Sequence, residues 1–205
     1  MVLMSEQAPA PESTDSDSDE LLLTRFAAGH RESFGRFHAR HAGEVQRFLL
    51  GLRLGLDHQQ VEDVVQEVFL KILLGGHAGY DPTRGGARGY VLGIARHLAL
   101  DLCRRPRTTS WAAATAERTA DPARDVSERI SRDEQRLAIA DAMSALEPEQ
   151  RTVLALRHMN HLKMRELADA LSCSLPTARS RLRSAARLFA QELRKRDVVG
   201  QEVLP

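Results

Sequence analysis

Residues 164–189 read MRELADALSCSLPTARSRLRSAARLF, and this stretch decides the fold. Leu167, Ala168 and Leu171 recur at helical spacing, Ser172-Cys173-Ser174 break the pattern, and Leu175, Ala178, Leu182, Ala185 and Phe189 resume it as one stripe. Two helices joined by so short a break have helix-turn-helix spacing. The small Ala168 lets the second helix cross closely over the first, and Ser174 is placed to cap the second helix with Thr177 answering back. With the apolar stripe turned inward, Arg179, Ser180, Arg181, Arg183, Ser184 and Arg187 face outward. Such a face suits a major groove, because arginine can bridge guanine O6 and N7 while other arginines pin phosphates. A basic face alone would equally describe a solvated hairpin; the spacing favours DNA.

Upstream, Leu137, Ile139, Ala140, Met143 and Leu146 mark another helix, broken at Glu147-Pro148, where proline suits the first turn of its successor. Residues 107–130 hold Thr, Ser, Ala, mixed charge and Pro122 without a sustained apolar period, which reads as a linker in which Trp111 alone argues for docking. Before it, a helix from about Gly89 to Cys103 buries Val91, Ile94, Ala95, Leu98, Ala99 and Leu102 and turns Arg96, His97 and Arg104 outward. Gly79, Asp81-Pro82, Gly85 and Gly86 make 77–88 a mobile surface loop. Asp57 with Gln60 forms a capping box that starts a helix lined by Val61, Val64, Val65, Val68, Phe69 and Ile72. Its other side carries Glu62, Asp63, Gln66, Glu67 and Lys71. Further back, Leu21 to Phe26 and a longer run from Glu32 to Leu52 complete the helical blocks. The expected fold is therefore all-α. It has two small helical domains, 19–106 and 131–196, joined by a flexible linker over 107–130, with a disordered acidic tail at 1–18 and a C-terminal tail at 197–205.

Aromatic residues make up only 4% of the 205, so the interior must be built from Leu, Val, Ala and Ile, a mixture that favours helices. The net charge of +1 hides a segregation. Met1 to Glu20 has six acidic residues and no Lys or Arg, and the composition predicts disorder there. Arg84, Arg88, Arg96, Arg104, Arg105 and Arg107 form one basic stretch, and the run from Arg179 to Arg196 forms a second. Two basic surfaces suggest a polyanion contacted twice.

Cys103 and Cys173 alone exclude a disulfide framework or a paired-ligand zinc site and are expected to be buried, reduced thiols. His38 with His41, and His158 with His161, share helix faces but have no evident third ligand, so no metal is expected. No apolar run is long enough to span a bilayer and the chain starts acidic, so the expectation is a cytoplasmic protein without membrane insertion. No nucleophilic triad, Gly-rich phosphate loop or paired-carboxylate pattern stands out, which argues against an enzyme and for no cofactor.

Four motifs in order, Val61-Glu62-Asp63-Val64-Val65-Gln66-Glu67-Val68-Phe69, Tyr80-Asp81-Pro82-Thr83-Arg84-Gly85, Ile94 to Leu102, and Thr177-Ala178-Arg179-Ser180-Arg181-Leu182, resemble the extracytoplasmic-function sigma factors of bacterial RNA polymerase. The resemblance runs from about Asp19 to Lys195. It implies that Glu62, Asp63, Gln66 and Glu67 dock on core RNA polymerase. It implies that Tyr80, Asp81, Arg84, Arg88, Tyr90, Arg96 and His97 contact and open the promoter element nearer the start site. Thr177, Arg179, Ser180, Arg181, Arg183 and Ser184 would read the upstream element, and an anti-sigma factor would be a further partner. The chain departs from the family pattern at Ala87, Tyr90, His97, Ser172, Pro176 and Ser184. A one-component helix-turn-helix regulator that binds duplex DNA unaided, and an interaction module that uses only the acidic helix face, remain the competing readings.

Overall fold

The computed structural model describes residues 17–75, 80–83, 85–104 and 126–195. They form helices only: α1 (Asp19–Ala27), α2 (Arg31–Gly51), α3 (His58–Leu73), α4 (Ala87–Arg104), α5 (Val126–Ser144), α6 (Pro148–Leu154), α7 (Met164–Ala170) and α8 (Leu175–Arg194). α6 runs on into a π-helical turn, Ala155–Met159, closed by the Asn160 amide donating to the Ala155 carbonyl at 3.0 Å.

The starts and stops follow from side chains that satisfy orphan helix-end groups. Asp57 Oδ1 accepts from the Gln60 amide at 2.7 Å while Gln60 Oε1 accepts from the Asp57 amide at 3.1 Å, closing the expected capping box of α3. Gly75, at φ +120°, ends that helix in a backbone region that a side chain would strain. Ser174 Oγ accepts from the Thr177 amide at 3.3 Å and lies 2.8 Å from Thr177 Oγ1, as the spacing predicts for the start of α8. Pro148 takes the first turn of α6.

Phe37, Val45, Phe48 and Leu49 of α2, Val61, Val64, Val68, Phe69 and Ile72 of α3, and Val91, Leu92, Ala95 and Ala99 of α4 fill the centre of the first domain. Leu22, Leu23 and Phe26 of α1 cap it. The same apolar cluster continues without a break into Leu156, Leu162, Leu167, Ala168, Leu171 and Ala178 of the second domain. A smaller second core belongs to the second domain alone: Ala142, Met143 and Leu146 of α5 meet Leu154, Ala185, Phe189 and Leu193. The two domains are thus packed directly on each other, with α7 against α4.

Polar contacts rim this junction. Glu44 of α2 accepts from Arg88 of α4 and from Asn160 Nδ2 beyond the π-turn at 3.1 Å. Arg104 Nη2 donates to Glu149 Oε1 at 2.8 Å, and Arg151 Nη1 donates to the Leu52 and Arg53 carbonyls.

The structure corrects the sequence reading in four places. Residues 17–20 do not belong to a disordered tail. Asp17 is buried and its Oδ2 accepts from Arg25 (2.9 Å) and Arg36 (2.8 Å), while the Glu20 carboxylate accepts from the Ala87 amide at 3.2 Å. α5 begins at Val126, inside the span read as linker, whose residues up to 125 lie outside the described ones along with both tails. Arg96 is half-buried rather than outward, because the second domain lies over its side of α4. Cys103 and Cys173 are partly exposed rather than buried.

Candidate nucleic-acid interface

α8 places its side chains by periodicity alone. Ala178, Ala185, Phe189 and Leu193 turn inward, which leaves Thr177, Arg179, Ser180, Arg181, Arg183, Ser184 and Arg187 exposed on the remaining surface. The turn before it is made by Ser172, a non-glycine residue at φ +50°.

α3 offers a face of opposite character. Glu62, Asp63, Gln66 and Glu67 are all exposed, tied down only by surface contacts: Gln59 Nε2 donates to Asp63 Oδ1 at 3.0 Å, and Lys71 Nζ stands 3.9 Å from Glu67 Oε1. At helical spacing the same face continues into Leu70, Leu73 and Leu74, which are 50%, 45% and 77% exposed. Large leucines left in solvent beside a row of carboxylates were not singled out by the sequence, although their spacing from Gln66 and Glu67 was legible.

The third cluster surrounds the loop before α4. Asp81 Oδ1 accepts from the Thr83 amide at 2.9 Å and the Thr83 hydroxyl at 2.7 Å, shaping a tight turn. The Tyr80 and Tyr90 rings pack at a 45° tilt with centroids 5.4 Å apart. Burial, and then the carboxylates of Glu20, Asp19 and Asp81, push the Tyr80 hydroxyl up to about 12, so it stays a neutral donor whose buried oxygen has no hydrogen-bond partner among the described residues. A cavity of about 350 Å³ opens here, lined by Lys71, Tyr80, Tyr90, Arg96 and His97 on one side and by Asp169 and Ser172 on the other. Arg84 lies outside the described residues.

The charges around it are unequal in availability. His97 is exposed, with Nε2 3.4 Å from Asp101 Oδ2. Arg88 is held by Glu44, and that hydrogen bond, opposed by burial, raises its pKa. Burial, followed by the neighbouring Arg181 of α8, lowers the pKa of Arg96, whose buried Nε has no hydrogen-bond partner among the described residues. The two basic stretches that the sequence separates therefore meet at Arg96 and Arg181.

Behind Arg88 lies a buried network that sequence reasoning missed. His41, 3% exposed, has Nε2 3.0 Å from Asp19 Oδ2 and Nδ1 3.6 Å from Glu44 Oε2. Burial alone would lower its pKa, yet the two carboxylates outweigh burial and raise it. Burial would likewise raise Glu44, but the adjacent His41 ring and the hydrogen bonds from Arg88 and Asn160 lower it to about 2. The only available signal was the i, i+3 spacing of His41 and Glu44. Neither His38, set edge-on to Phe69 with ring centroids 4.4 Å apart, nor His41 joins a group of three that could hold a metal among the described residues. No described helix is long and apolar enough to cross a membrane.

Known proteins resemble this chain in sequence and in fold. The sigma-70 region 2 family matches residues 37–120, and the sigma-70 region 4 family matches residues 136–188. The ECF RNA polymerase sigma factor SigK of Mycolicibacterium vanbaalenii is 29% identical over 174 residues, covering 82% of this chain and 85% of that protein. SigK of Mycobacterium tuberculosis H37Rv is 28% identical over 183 residues, covering 86% of this chain and 94% of its own length. Among solved structures, CnrH in complex with the cytosolic domain of CnrY shares the fold, with a TM-score of 0.61 at 21% identity over 87% of this chain and 99% of that one. Two family matches in chain order on an all-helical, two-domain fold show that this protein belongs to the extracytoplasmic-function sigma factors, the initiation factors of bacterial RNA polymerase.

Proposed function

We propose that this sigma factor docks on core RNA polymerase through the exposed face of α3 and carries two promoter-binding surfaces, one on each domain. The observation that carries the docking assignment is the α3 face itself, on which Glu62, Asp63, Gln66 and Glu67 run into exposed Leu70, Leu73 and Leu74. Carboxylates give register and steering toward a basic partner helix, and the leucines supply the apolar contact that makes a protein interface stable. A regulator that binds DNA unaided has no use for such a face.

α8 reads the upstream duplex element. Thr177, Arg179, Ser180, Arg181, Arg183 and Ser184 supply base and phosphate contacts in the major groove. The element nearer the start site is engaged by Tyr80, Asp81, Arg84, Arg88, Tyr90, Arg96 and His97. Extruding a base costs a few kcal/mol, which stacking on Tyr80 or Tyr90 and arginine contacts to the backbone offset. Joining two weak contacts through one chain multiplies their effect. A protein that works on polymerase and promoter acts in the cytoplasm, and an anti-sigma factor that covers these surfaces is the expected antagonist. None of this asks the chain for catalysis or a cofactor.

Reconstitution tests the proposal: the purified chain, mixed with core polymerase, directs initiation from selected promoter sequences that core polymerase alone ignores. Footprints on duplex DNA without polymerase would favour the one-component regulator instead. Absence of any DNA effect would favour an interaction module.

A further inference from the structure

The cavity of about 350 Å³ beside α4 takes its walls from both domains. Lys71, Tyr80, Tyr90, Arg96 and His97 belong to the first domain, and Asp169 faces them from α7 of the second. Backbone sets the distance between the walls, because α4 carries glycine where α7 crosses it. A Cβ at Gly89 would stand 3.1 Å from the Glu166 carbonyl oxygen, and one at Gly93 would stand 3.1 Å from Ala170 Cα. Arg96 and Asp169 each lie within one turn of that last contact, so their mutual placement is fixed by the helices that carry them. Small-molecule sites span roughly 300–1,000 Å³, and a space near the small end suits a mononucleotide better than a larger cofactor.

The lining is rich in donors. The Tyr80 hydroxyl oxygen and Arg96 Nε are both buried and have no hydrogen-bond partner among the described residues. Buried donors without a partner are costly, and two of them on one cavity wall call for an occupant that accepts. The Tyr80 and Tyr90 rings add a π-surface on which a flat ring can lie. Lys71 and His97 are exposed, and their ion pairs, with Glu67 at 3.9 Å and Asp101 at 3.4 Å, are long enough to leave donors for an anion. Burial, and after it Arg181 of α8, lowers the Arg96 pKa, so positive charge from both domains converges here. Asp169 supplies a carboxylate from the facing wall, and a carboxylate has about four acceptor sites, more than contacts within the protein use up. The carboxylate of Asp81 also borders the cavity, but its Oδ1 accepts from the Thr83 amide and hydroxyl of its own turn.

Donors on one wall and an acceptor on the other match guanine. Its Watson–Crick edge carries two adjacent donors, N1–H and the N2 amino group, which a carboxylate can take together. Its other edge carries the acceptors O6 and N7, which arginine can bridge. Adenine presents a lone pair at N1 where guanine donates, and that lone pair would oppose Asp169. We infer that the cavity binds a free guanine mononucleotide: Asp169 accepts from N1–H and N2, Arg96 and the Tyr80 hydroxyl donate to O6 and N7, Tyr90 stacks on the base, and Lys71 and His97 hold the phosphate. The site is composite, since Arg96 and Asp169 come from different domains. A ligand that binds only where the two walls face each other stabilises that arrangement by its own binding free energy. It also occupies side chains given above to the promoter, so nucleotide and DNA strand exclude each other.

Calorimetric titration of the full-length chain tests this, with the 5′-monophosphates of guanosine, adenosine, inosine and xanthosine as probes. Guanosine monophosphate should bind saturably at one site, about tenfold or more tighter than the adenosine compound, which is the order of discrimination a bidentate pair gives. Inosine monophosphate, which lacks the N2 amino group, should fall between them. Asp169→Asn replaces one acceptor with a donor in nearly the same shape. It should weaken guanosine monophosphate about tenfold or more and create binding of xanthosine monophosphate, whose C2 carbonyl accepts from the new amide. A gain for the complementary ligand is not produced by a variant that merely loosens the fold. Tyr80→Phe keeps the ring, loses the hydroxyl donor and should weaken guanosine monophosphate about threefold or more. The inference is overturned by no saturable binding of guanosine monophosphate at millimolar concentration, by equal affinity for the adenosine compound, or by an Asp169→Asn chain that gains no affinity for xanthosine monophosphate. Binding of a guanine-containing single-stranded oligonucleotide without binding of the free nucleotide would overturn it too, and would give the cavity to the promoter strand. Failure of the wild-type chain to support initiation with core polymerase would instead strike the functional assignment and leave the titration untouched.

Discussion

α3 and α4 are neighbouring helices of one domain, and each carries a face that its own bundle leaves unused. The α3 face, from Glu62 to Leu74, is open to solvent, whereas the glycine-bearing side of α4 lies under α7 with Arg96 half-buried beneath it. Open and covered faces on adjacent helices differ in access: the α3 side chains meet solvent directly, whereas α7 stands between solvent and the glycine-bearing side of α4. The predictions below either break that contrast or measure it.

The largest effect belongs to the open face. Asp63→Lys together with Glu67→Lys reverses two exposed charges that, among the described residues, take part in a surface hydrogen bond and a 3.9 Å ion pair. Two reversed charge pairs at an interface should weaken core polymerase binding by about 4 kcal/mol or more, close to a thousandfold, while thermal stability changes by less than about 1 kcal/mol. Competition against labelled wild-type chain measures the first and a melting curve the second. Retained affinity would remove α3 as the docking face.

The fastening of the covered face comes next. Glu44, with its side chain 15% exposed, titrates near 2 in the folded chain against an ordinary 4.5. A lowered carboxylate pKa stabilises the fold above the unfolded value, so its contribution, about 3 kcal/mol, is present at neutral pH and is lost as pH falls from about 4.5 toward 2. His41 has the opposite sign: its raised pKa contributes fully below 6.5 and fades as pH climbs through the folded value. Glu44→Gln should therefore lower stability at pH 7 by about 3 kcal/mol and flatten the acid limb in urea unfolding. A Gln variant with an undiminished acid limb would show that other carboxylates carry it.

On the second domain, Arg179→Ala and Arg181→Ala remove exposed side chains that the fold does not need. Each should cost roughly 1–3 kcal/mol on the cognate upstream element in the holoenzyme, with relaxed preference at one base pair. Uniform loss over all sequences would reassign them to phosphates.

What was legible in the sequence is what depends on neighbours along the chain. The Asp57 and Ser174 caps, the α3 and α8 stripes and the proline start of α6 are all decided within four residues, and periodicity finds them. Asp17 was misread because its partners Arg25 and Arg36 lie 8 and 19 residues away, and Glu20 meets the Ala87 amide 67 residues on. An acidic run looks disordered until the arginines that neutralise it are folded next to it. The burial of Arg96 escaped for a related reason: Gly89 was read only as the start of a helix, and the tertiary contact alone shows Gly89 and Gly93 as a seat for α7.

Ser172 gives the smallest and cleanest perturbation, since it sits in the turn that sets α7 against both α4 and α8. Its φ of +50° lies in the left-handed region, where an L side chain crowds the following carbonyl at a cost of roughly 1–2 kcal/mol. Part of that strain is offset in Ser172→Gly by the greater freedom glycine has in the unfolded chain, so the net gain in stability should be about 0.5–1 kcal/mol. Because the Ser172 amide still donates to the Asp169 carbonyl, at 2.8 Å in the wild type, the turn keeps its geometry and α7 keeps its place on α4. Denaturant unfolding should register the gain while scattering dimensions and α3-mediated polymerase binding stay at wild-type values. A loss of stability would mean that the serine side chain contributes more to this turn than its backbone angle costs.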